Sequence, residues 1–246
     1  MAWVELAYSK SQVKRAGKML RDSVRHPLTV DEQTVREAEL VLENWRSAHA
    51  FALNSVQMTL RRQVDRAQLT ADISQRLKER RTIIDKLLRE PTMQLSTMQD
   101  IAGCRAVLPD LAAVRQVVDG WHDARLRKLE IVEEYDYLEV ARPSGYRAYH
   151  LTVRHEGQGR LVEVQLRSQL QHAWAVAVES VGRTRGQSLK TGQGTPELLE
   201  RFRRVAQYLA AVELGQQIDA SLRSEAQGFL TMLQAGHPAP EGDHDA

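Results

Sequence analysis

Cysteine is almost missing from this chain of 246 residues, where Cys104 stands alone. A single thiol forms no internal disulfide and builds no thiolate zinc site, so a reducing, cytoplasmic setting is expected. Aromatic residues are scarce as well, at 5% of a chain that is 42% hydrophobic, which leaves the packing to Leu, Val, Ala and Ile. No run approaches the ~18 apolar residues of a membrane span, and the opening MAWVELAYSKSQVKR lacks the apolar core of a secretion signal, so no membrane partner is expected. Net charge is small too, with 34 Lys+Arg against 32 Asp+Glu and a formal total of +2. So weak a global field excludes wholesale polyanion binding, and any basic chemistry has to be local. Lysine is the rarer cation, with seven positions against 27 arginines. Arginine's planar fork suits phosphates and carboxylates, although codon usage in a GC-rich genome produces the same skew.

What is present organises into helices around a strand-rich centre. Thr29-x-x-Glu32 reads as a capping box, and Val35, Ala38, Val41, Leu42, Trp45, Ala48 and Ala52 continue at helical spacing to about Arg62. Residues 1–28 show scattered basic positions and no period. A helix over 68–90 is predicted from the stripe Ile83, Ile84, Leu87, Leu88, with Pro91 as its stop. Strands are predicted at about 101–108, 128–137, 147–155 and 160–167, the last two joined by the hairpin turn Glu156-Gly157-Gln158-Gly159. Helices are predicted at about 110–123 and 168–180. The glycine-rich stretch 182–194 reads as a mobile linker, Thr195-Pro196-Glu197 as a helix start, and the tail as disordered. The division is a helical region 1–66, an α+β core 67–181 with a mixed sheet, a linker 182–195, C-terminal helices 196–235 and a tail 236–246.

Four clusters carry chemical potential. Residues 61–90 hold nine Lys/Arg and five Asp/Glu, an excess of four cations. At 100° per residue Arg76, Lys78 and Lys86 share no helical stripe, so a common polyphosphate ligand requires Arg76–Lys78 to lie outside the regular helix. Asp100-Ile-Ala-Gly103-Cys104-Arg105 places an acid at a strand edge beside two small residues. The stretch from Asp136-Tyr137 through Arg142-Pro143-Ser144-Gly145-Tyr146-Arg147 to His150 sets basic and aromatic side chains around a turn, which offers donors to phosphates and a ring to a base. Glu163-Val-Gln165-Leu-Arg167 puts three polar side chains on one face of a strand. Asp100 and Glu163 at polar positions of two strands suit Mg²⁺, which takes one or two carboxylates plus phosphate oxygens and water. Together these features specify a nucleotide-dependent phosphoryl or pyrophosphoryl transferase.

In order and spacing, Asp100-x-x-Gly103-x-Arg105, Asp136-Tyr137, Pro143-Ser144-Gly145-Tyr146-Arg147-x-x-His150 and Glu163-Val-Gln165-Leu-Arg167 resemble the synthetase domain of the RelA/SpoT alarmone family over about residues 70–180. The length resembles the small, single-domain members. The resemblance implies an α+β, nucleotidyltransferase-like synthetase core flanked by helices. It further implies Mg²⁺-dependent transfer of the β,γ-pyrophosphate of ATP to the ribose 3′-hydroxyl of GDP or GTP, giving (p)ppGpp. It places Arg76, Lys78, Lys86 and Arg105 at ATP positions, and Asp100 and Glu163 at catalytic and metal positions, with Glu163 a candidate base. It places Tyr137, Arg142, Ser144, Tyr146, His150 and Gln165 at the acceptor site, with guanine stacked on Tyr146. Arg142 stands where lysine is common, and Ser144 where many relatives have asparagine. Because His122-Asp123 is the only echo of the family's hydrolase half, synthesis without hydrolysis is expected.

Other readings stay open. Some small relatives are toxins with an antitoxin partner that make adenosine alarmones or pyrophosphorylate the tRNA 3′ end, and Lys10, Lys14, Arg15, Lys18, Arg21 and Arg25 are where tRNA phosphates would then sit. A silent nucleotide-binding module is the reading from another class. The apolar positions of 198–230 suit either homo-oligomer contacts or core packing, and His172 either a core position or a functional one.

Overall fold

The computed structural model describes residues 3–124, 126, 128–187, 189 and 192–234. The tail 236–246 lies outside the described residues. Five strands, β1 (Asp72–Leu77), β2 (Ala102–Leu108), β3 (Leu129–Asp136), β4 (Tyr149–His155) and β5 (Arg160–Ser168), form one mixed sheet in the order β1-β2-β5-β4-β3. Only the β2/β5 pair is parallel. Among the described residues eight α-helices surround it: α1 (Lys10–Arg25), α2 (Glu32–Ser47), α3 (Ala50–Arg66), α4 (Arg80–Arg89), α5 (Leu111–Asp123), α6 (Gln169–Thr184), α7 (Pro196–Glu213) and α8 (Ala220–Gln234). Among the described residues no helix is long and apolar enough to cross a membrane.

Period-two alternation decides what each face of the sheet does. Cys104, Ala106, Leu151, Val153, Val162, Val164 and Leu166 project to one side, where α3 and α5 bury them with Val56, Leu60, Val117 and Trp121. Cys104 is one more small buried residue there, its thiol pushed up to about 12 by burial. The intervening residues project to the other side. They line up in two cross-strand rows, Arg76–Gly103–Glu163–Thr152–Glu133 and Ser74–Arg105–Gln165–His150–Tyr135. Hence the sheet has one apolar and one polar face, and the chemistry belongs to the second.

The mixed α+β architecture and the four strands over 101–167 agree with the sequence reading. Three local expectations fail. The helix over 68–90 is a strand, β1, followed by the shorter helix α4. Pairing with β2 overrides the helical preference of 72–77, and extended Glu79 (φ −63°, ψ 142°) separates the two elements. The helix expected from Thr29 starts at Glu32 instead, because Asp31 is the cap and its carboxylate accepts the Thr34 N–H at 2.9 Å. Residues 1–28 are not aperiodic. They contain α1, capped by Ser9 and Gln12, with Val13, Ala16, Gly17 and Leu20 buried at i, i+3, i+4, i+7. Gly17 hides the period, yet a Cβ there would come within 2.6 Å of Leu95 Cβ. Within the glycine-rich stretch, α6 continues through Thr184, and Leu189 is buried in the cluster formed by Trp174, Leu198 and Phe202.

Candidate active site

On the polar face lies a cleft of about 710 Å³, lined by Arg76, Lys78, Lys86, Arg89, Asp100, Tyr135, Tyr137, Arg142, Tyr146, His150, Glu163 and Gln165 among others. That volume fits nucleotide-sized ligands. Gly103 sits between Arg76 and Glu163 in the first cross-strand row, so the floor there is bare backbone.

One corner is built on charge. Lys78 follows β1, its backbone fixed by an N–H bond to Ile101 O (2.8 Å) and by Arg46 Nε donating to its carbonyl (2.8 Å). Its ammonium meets Asp100 Oδ2 at 2.8 Å, while Lys86 of α4 meets Oδ1 at 2.9 Å. Burial disfavours the charged form of Asp100, but Lys78 and Lys86 outweigh it and hold the carboxyl below the usual range. Arg76 and Arg89 complete the corner. The strand removes the difficulty over Arg76 and Lys78: two residues apart on extended chain, they reach the same cleft as Lys86 without sharing its helix.

The second corner is built on neutral dipoles. Glu163 accepts from Gln165 Nε2 at 2.6 Å and contacts His150 Nδ1 at 3.0 Å. His150 Nε2 meets the Tyr146 hydroxyl at 2.7 Å. Burial lowers the His150 pKa despite the Glu163 carboxylate beside it, and burial pushes Tyr146 up to about 12. Both shifts favour the neutral forms.

The Pro143-Ser144-Gly145 turn supplies the third wall. Gly145 has φ +88°, and a Cβ there would approach Ala206 Cβ to 2.7 Å, so glycine is required. The turn lays the Arg142 guanidinium 4.4 Å from the Tyr137 ring centroid, with Arg142 Nη2 donating to the Tyr137 hydroxyl at 2.8 Å. Tyr135 then stacks parallel on Tyr137 at 5.7 Å.

The structure therefore gathers ten of the twelve sequence candidates into one cleft and leaves two outside. Arg105 does not line the cleft and donates instead to Ser74 Oγ at 3.3 Å. The Ser144 hydroxyl is buried without a hydrogen-bond partner. His172 also lies off the cleft, its pKa lowered by burial and then by Arg105, with Nδ1 buried and unpartnered. Tyr146 lines the cleft but is only 2% exposed, packed against Trp174, so the ring open to a base is Tyr135 at 41%. Tyr135, Glu133 and Gln99 were not singled out from sequence, and Arg89 and Arg167, though part of the clusters noted there, were given no role. For Tyr135 and Glu133 the signal was their period-two spacing with Tyr137, and for Arg167 the same spacing with Glu163 and Gln165.

Two of the six basic residues considered for tRNA are occupied with holding α1 in place. Arg21 Nη1 donates to Pro91 O at 2.7 Å and Arg25 Nη2 to Leu88 O at 2.8 Å.

Comparison with known proteins agrees with this architecture. Residues 75–182 match the family described as the region found in RelA / SpoT proteins. The chain is 29% identical over 167 residues to GTP pyrophosphokinase YjbM of Bacillus subtilis, covering 63% of this chain and 72% of that protein. It is 29% identical over 196 residues to an uncharacterized protein of Mycobacterium tuberculosis, Rv1366, covering 78% of this chain and 65% of that one. Among solved structures, small alarmone synthetase 1 from Bacillus subtilis, bound to its product pppGpp, superposes with a TM-score of 0.58 at 22% identity. That match covers 82% of this chain and all of the other (100%). The matched region runs from within β1 to α6 and takes in Arg76, Asp100 and Glu163, so this part of the chain is similar to RelA / SpoT proteins, and the fold is that of the small alarmone synthetases.

Proposed function

We propose that this chain transfers the β,γ-pyrophosphate of ATP to the ribose 3′-hydroxyl of GDP or GTP. The observation that carries the reading is the division of one cleft into a cationic corner, a carboxylate held by neutral donors and an aromatic wall. The name of the YjbM relative supports the guanosine acceptor. Arg76, Lys78, Lys86 and Arg89 bind the triphosphate, and their charges favour the transition state, in which negative charge spreads over the transferred group. Arg142 holds acceptor phosphates, and the acceptor base extends the Arg142–Tyr137–Tyr135 stack on the open face of Tyr135. The 3′-oxygen bonds to Pβ as the bond from Pβ to the α,β-bridging oxygen breaks. AMP leaves, and the hydroxyl proton passes to Glu163.

Mg²⁺ fits the donor set, since Asp100 and Glu163 are hard oxygen ligands in one cleft. Among the described residues no group of three or more His, Cys, Asp or Glu side chains gathers as a metal site, so phosphates and water complete the shell. When bound, the ion neutralises phosphate charge and polarises the bond that breaks. Asp100 and Glu163 would hold the ion, and Lys78 and Lys86, now paired with Asp100, would then be available to phosphate. Synthesis without hydrolysis is part of the same reading, as His122 lies outside the cleft and pairs with Glu134 at 3.2 Å.

The test is incubation with γ-labelled ATP, Mg²⁺ and, separately, GDP, GTP, ATP and bulk tRNA. Label on a guanosine nucleotide is expected. Label confined to tRNA or adenosine nucleotides, or no transfer at all, would overturn the reading.

A further inference from the structure

Five side chains around Glu163 close into a ring. Glu163 Oε1 meets His150 Nδ1 (3.0 Å), His150 Nε2 meets the Tyr146 hydroxyl (2.7 Å), and that hydroxyl accepts from Arg167 Nη2 (2.8 Å). The same Arg167 nitrogen donates to Gln165 Oε1 (2.6 Å), and Gln165 Nε2 donates back to Glu163 Oε2 (2.6 Å). Glu163, Gln165 and Arg167 are alternate residues of β5, and His150 faces Gln165 directly across the β4/β5 pair. Arg167 is 2% exposed and does not line the cleft.

The direction of every bond follows from two end members. A guanidinium only donates, and a carboxylate only accepts. On one side, Gln165 must turn its oxygen to Arg167, which leaves its NH₂ for Glu163. On the other, the Glu163 carboxylate calls for a proton on His150 Nδ1, which in a neutral ring leaves Nε2 to accept, so the Tyr146 hydroxyl takes the Arg167 N–H on its oxygen and gives its proton to His150 Nε2. That nitrogen is then the acceptor, and the ring proton sits on Nδ1, pointing at Glu163. Each carboxylate oxygen thus accepts a hydrogen bond from the ring. Reversing either arm would set two donors or two acceptors face to face in a buried site.

We infer that Arg167 is a positioning residue, a buried donor that fixes the amide orientation of Gln165 and the Nδ1–H tautomer of His150 and so holds both oxygens of Glu163. It acts through its neighbours and touches no substrate. The consequence for turnover rests on the function proposed above, whereas the hydrogen-bond order does not.

Two-bond ¹H–¹⁵N correlation spectra of the wild-type protein at pH 7 test the order itself, with His150 assigned by its loss in His150→Gln. The expected result is a proton on Nδ1 and none on Nε2, and a proton on Nε2 overturns the inference. Two variants separate donation from packing. Arg167→Lys retains a donor-only group and should keep the Nδ1–H tautomer. Arg167→Gln can also accept and should give a mixture of tautomers. With it kcat should fall roughly 10–100-fold while KM for ATP moves less than about threefold. Equal kcat in the two variants would overturn the positioning role. Should the wild type transfer no pyrophosphate, the functional reading fails, and the wild-type spectrum still decides the ring.

Discussion

Asp100 and Glu163 stand in one cleft with the same side-chain exposure, 23% each, yet they are held in opposite ways. Both oxygens of Asp100 are ion-paired, at 2.8 and 2.9 Å, with two lysines. Glu163 is held by an imidazole and an amide, with the cation Arg167 bonded directly to the amide and, through Tyr146, to the imidazole. The first corner therefore carries more positive charge than its acid cancels, and it is ready for an anion. At the second, a carboxylate is oriented by an imidazole and an amide, and it faces the cleft ready for a metal ion or a proton. Near-neutrality of the whole chain conceals this local separation.

Removing the charge at each corner should separate the two designs most sharply. Glu163→Gln keeps shape and loses the acceptor of the 3′-proton, so label transfer should drop by roughly 10²–10⁴-fold. Its stability should change by no more than about 1 kcal/mol, the worth of one rearranged hydrogen bond. Activity within tenfold of wild type would remove Glu163 from the centre of the reaction. Asp100→Asn should lose transfer as well, but for a second reason it should also lose stability. It leaves two close ammonium groups without a counter-charge, one of them on Lys78, whose side chain is 9% exposed. A loss of about 1–3 kcal/mol in urea unfolding is expected. Equal stability of the two variants would erase the distinction between the corners.

The apolar face supplies the opposite extreme. Leu166 lies between Gln165 and Arg167 in sequence but points into the core at 0% exposure. Leu166→Ala should destabilise the fold by about 2–5 kcal/mol. At a temperature where the variant remains folded, its KM values should stay near wild type. An altered KM for ATP with unaltered stability would show that the two faces are not separable.

Acid unfolding distinguishes the corners more gently. The folded-state pKa of Asp100 lies below its ordinary 3.8 because Lys78 and Lys86 prevail over burial. Its charged form therefore adds stability that is fully present above about pH 3.8 and disappears as pH falls through the lower folded value. Relative to wild type, Asp100→Asn should show a flatter loss of stability below that pH. Parallel acid limbs in the two proteins would argue against the lysine pairing.

Why so much of this was legible, and some not, follows from where each signal resides. The alternation in 147–155 and 160–167 is a local property of the chain, and it puts Glu163, Gln165 and His150 on the polar face because their strands bury the other one. The stretch 72–77 carries no such clean alternation. Its strand exists only because β2 offers an edge, so propensity alone assigns it to the following helix. Partners are a further step removed. Nothing in the spacing of Arg167, Tyr146 and His150 indicates that their hydrogen bonds close a ring, because the ring spans the turn at 142–146 and two paired strands. Tyr146, which the resemblance places under the acceptor base, is covered by the same core packing with Trp174 that fixes the turn.

The smallest effect belongs to the aromatic wall, where the choice lies between Tyr135 and Tyr146. Tyr135 exposes 41% of its surface, stacks on Tyr137 with one face and lines the cleft. Tyr135→Ala should therefore raise KM for the guanosine acceptor by roughly fivefold, about 1 kcal/mol, at the low end of what one stacked base contributes. KM for ATP and kcat should change little, because neither the cationic corner nor the ring around Glu163 uses this side chain. Tyr135→Phe loses the hydroxyl bond to Glu133 but keeps the π-face, so it should behave as wild type. An equal rise in both variants would place the contribution in the hydroxyl. No rise in Tyr135→Ala would return the base to Tyr146, which would then have to become uncovered when the acceptor binds.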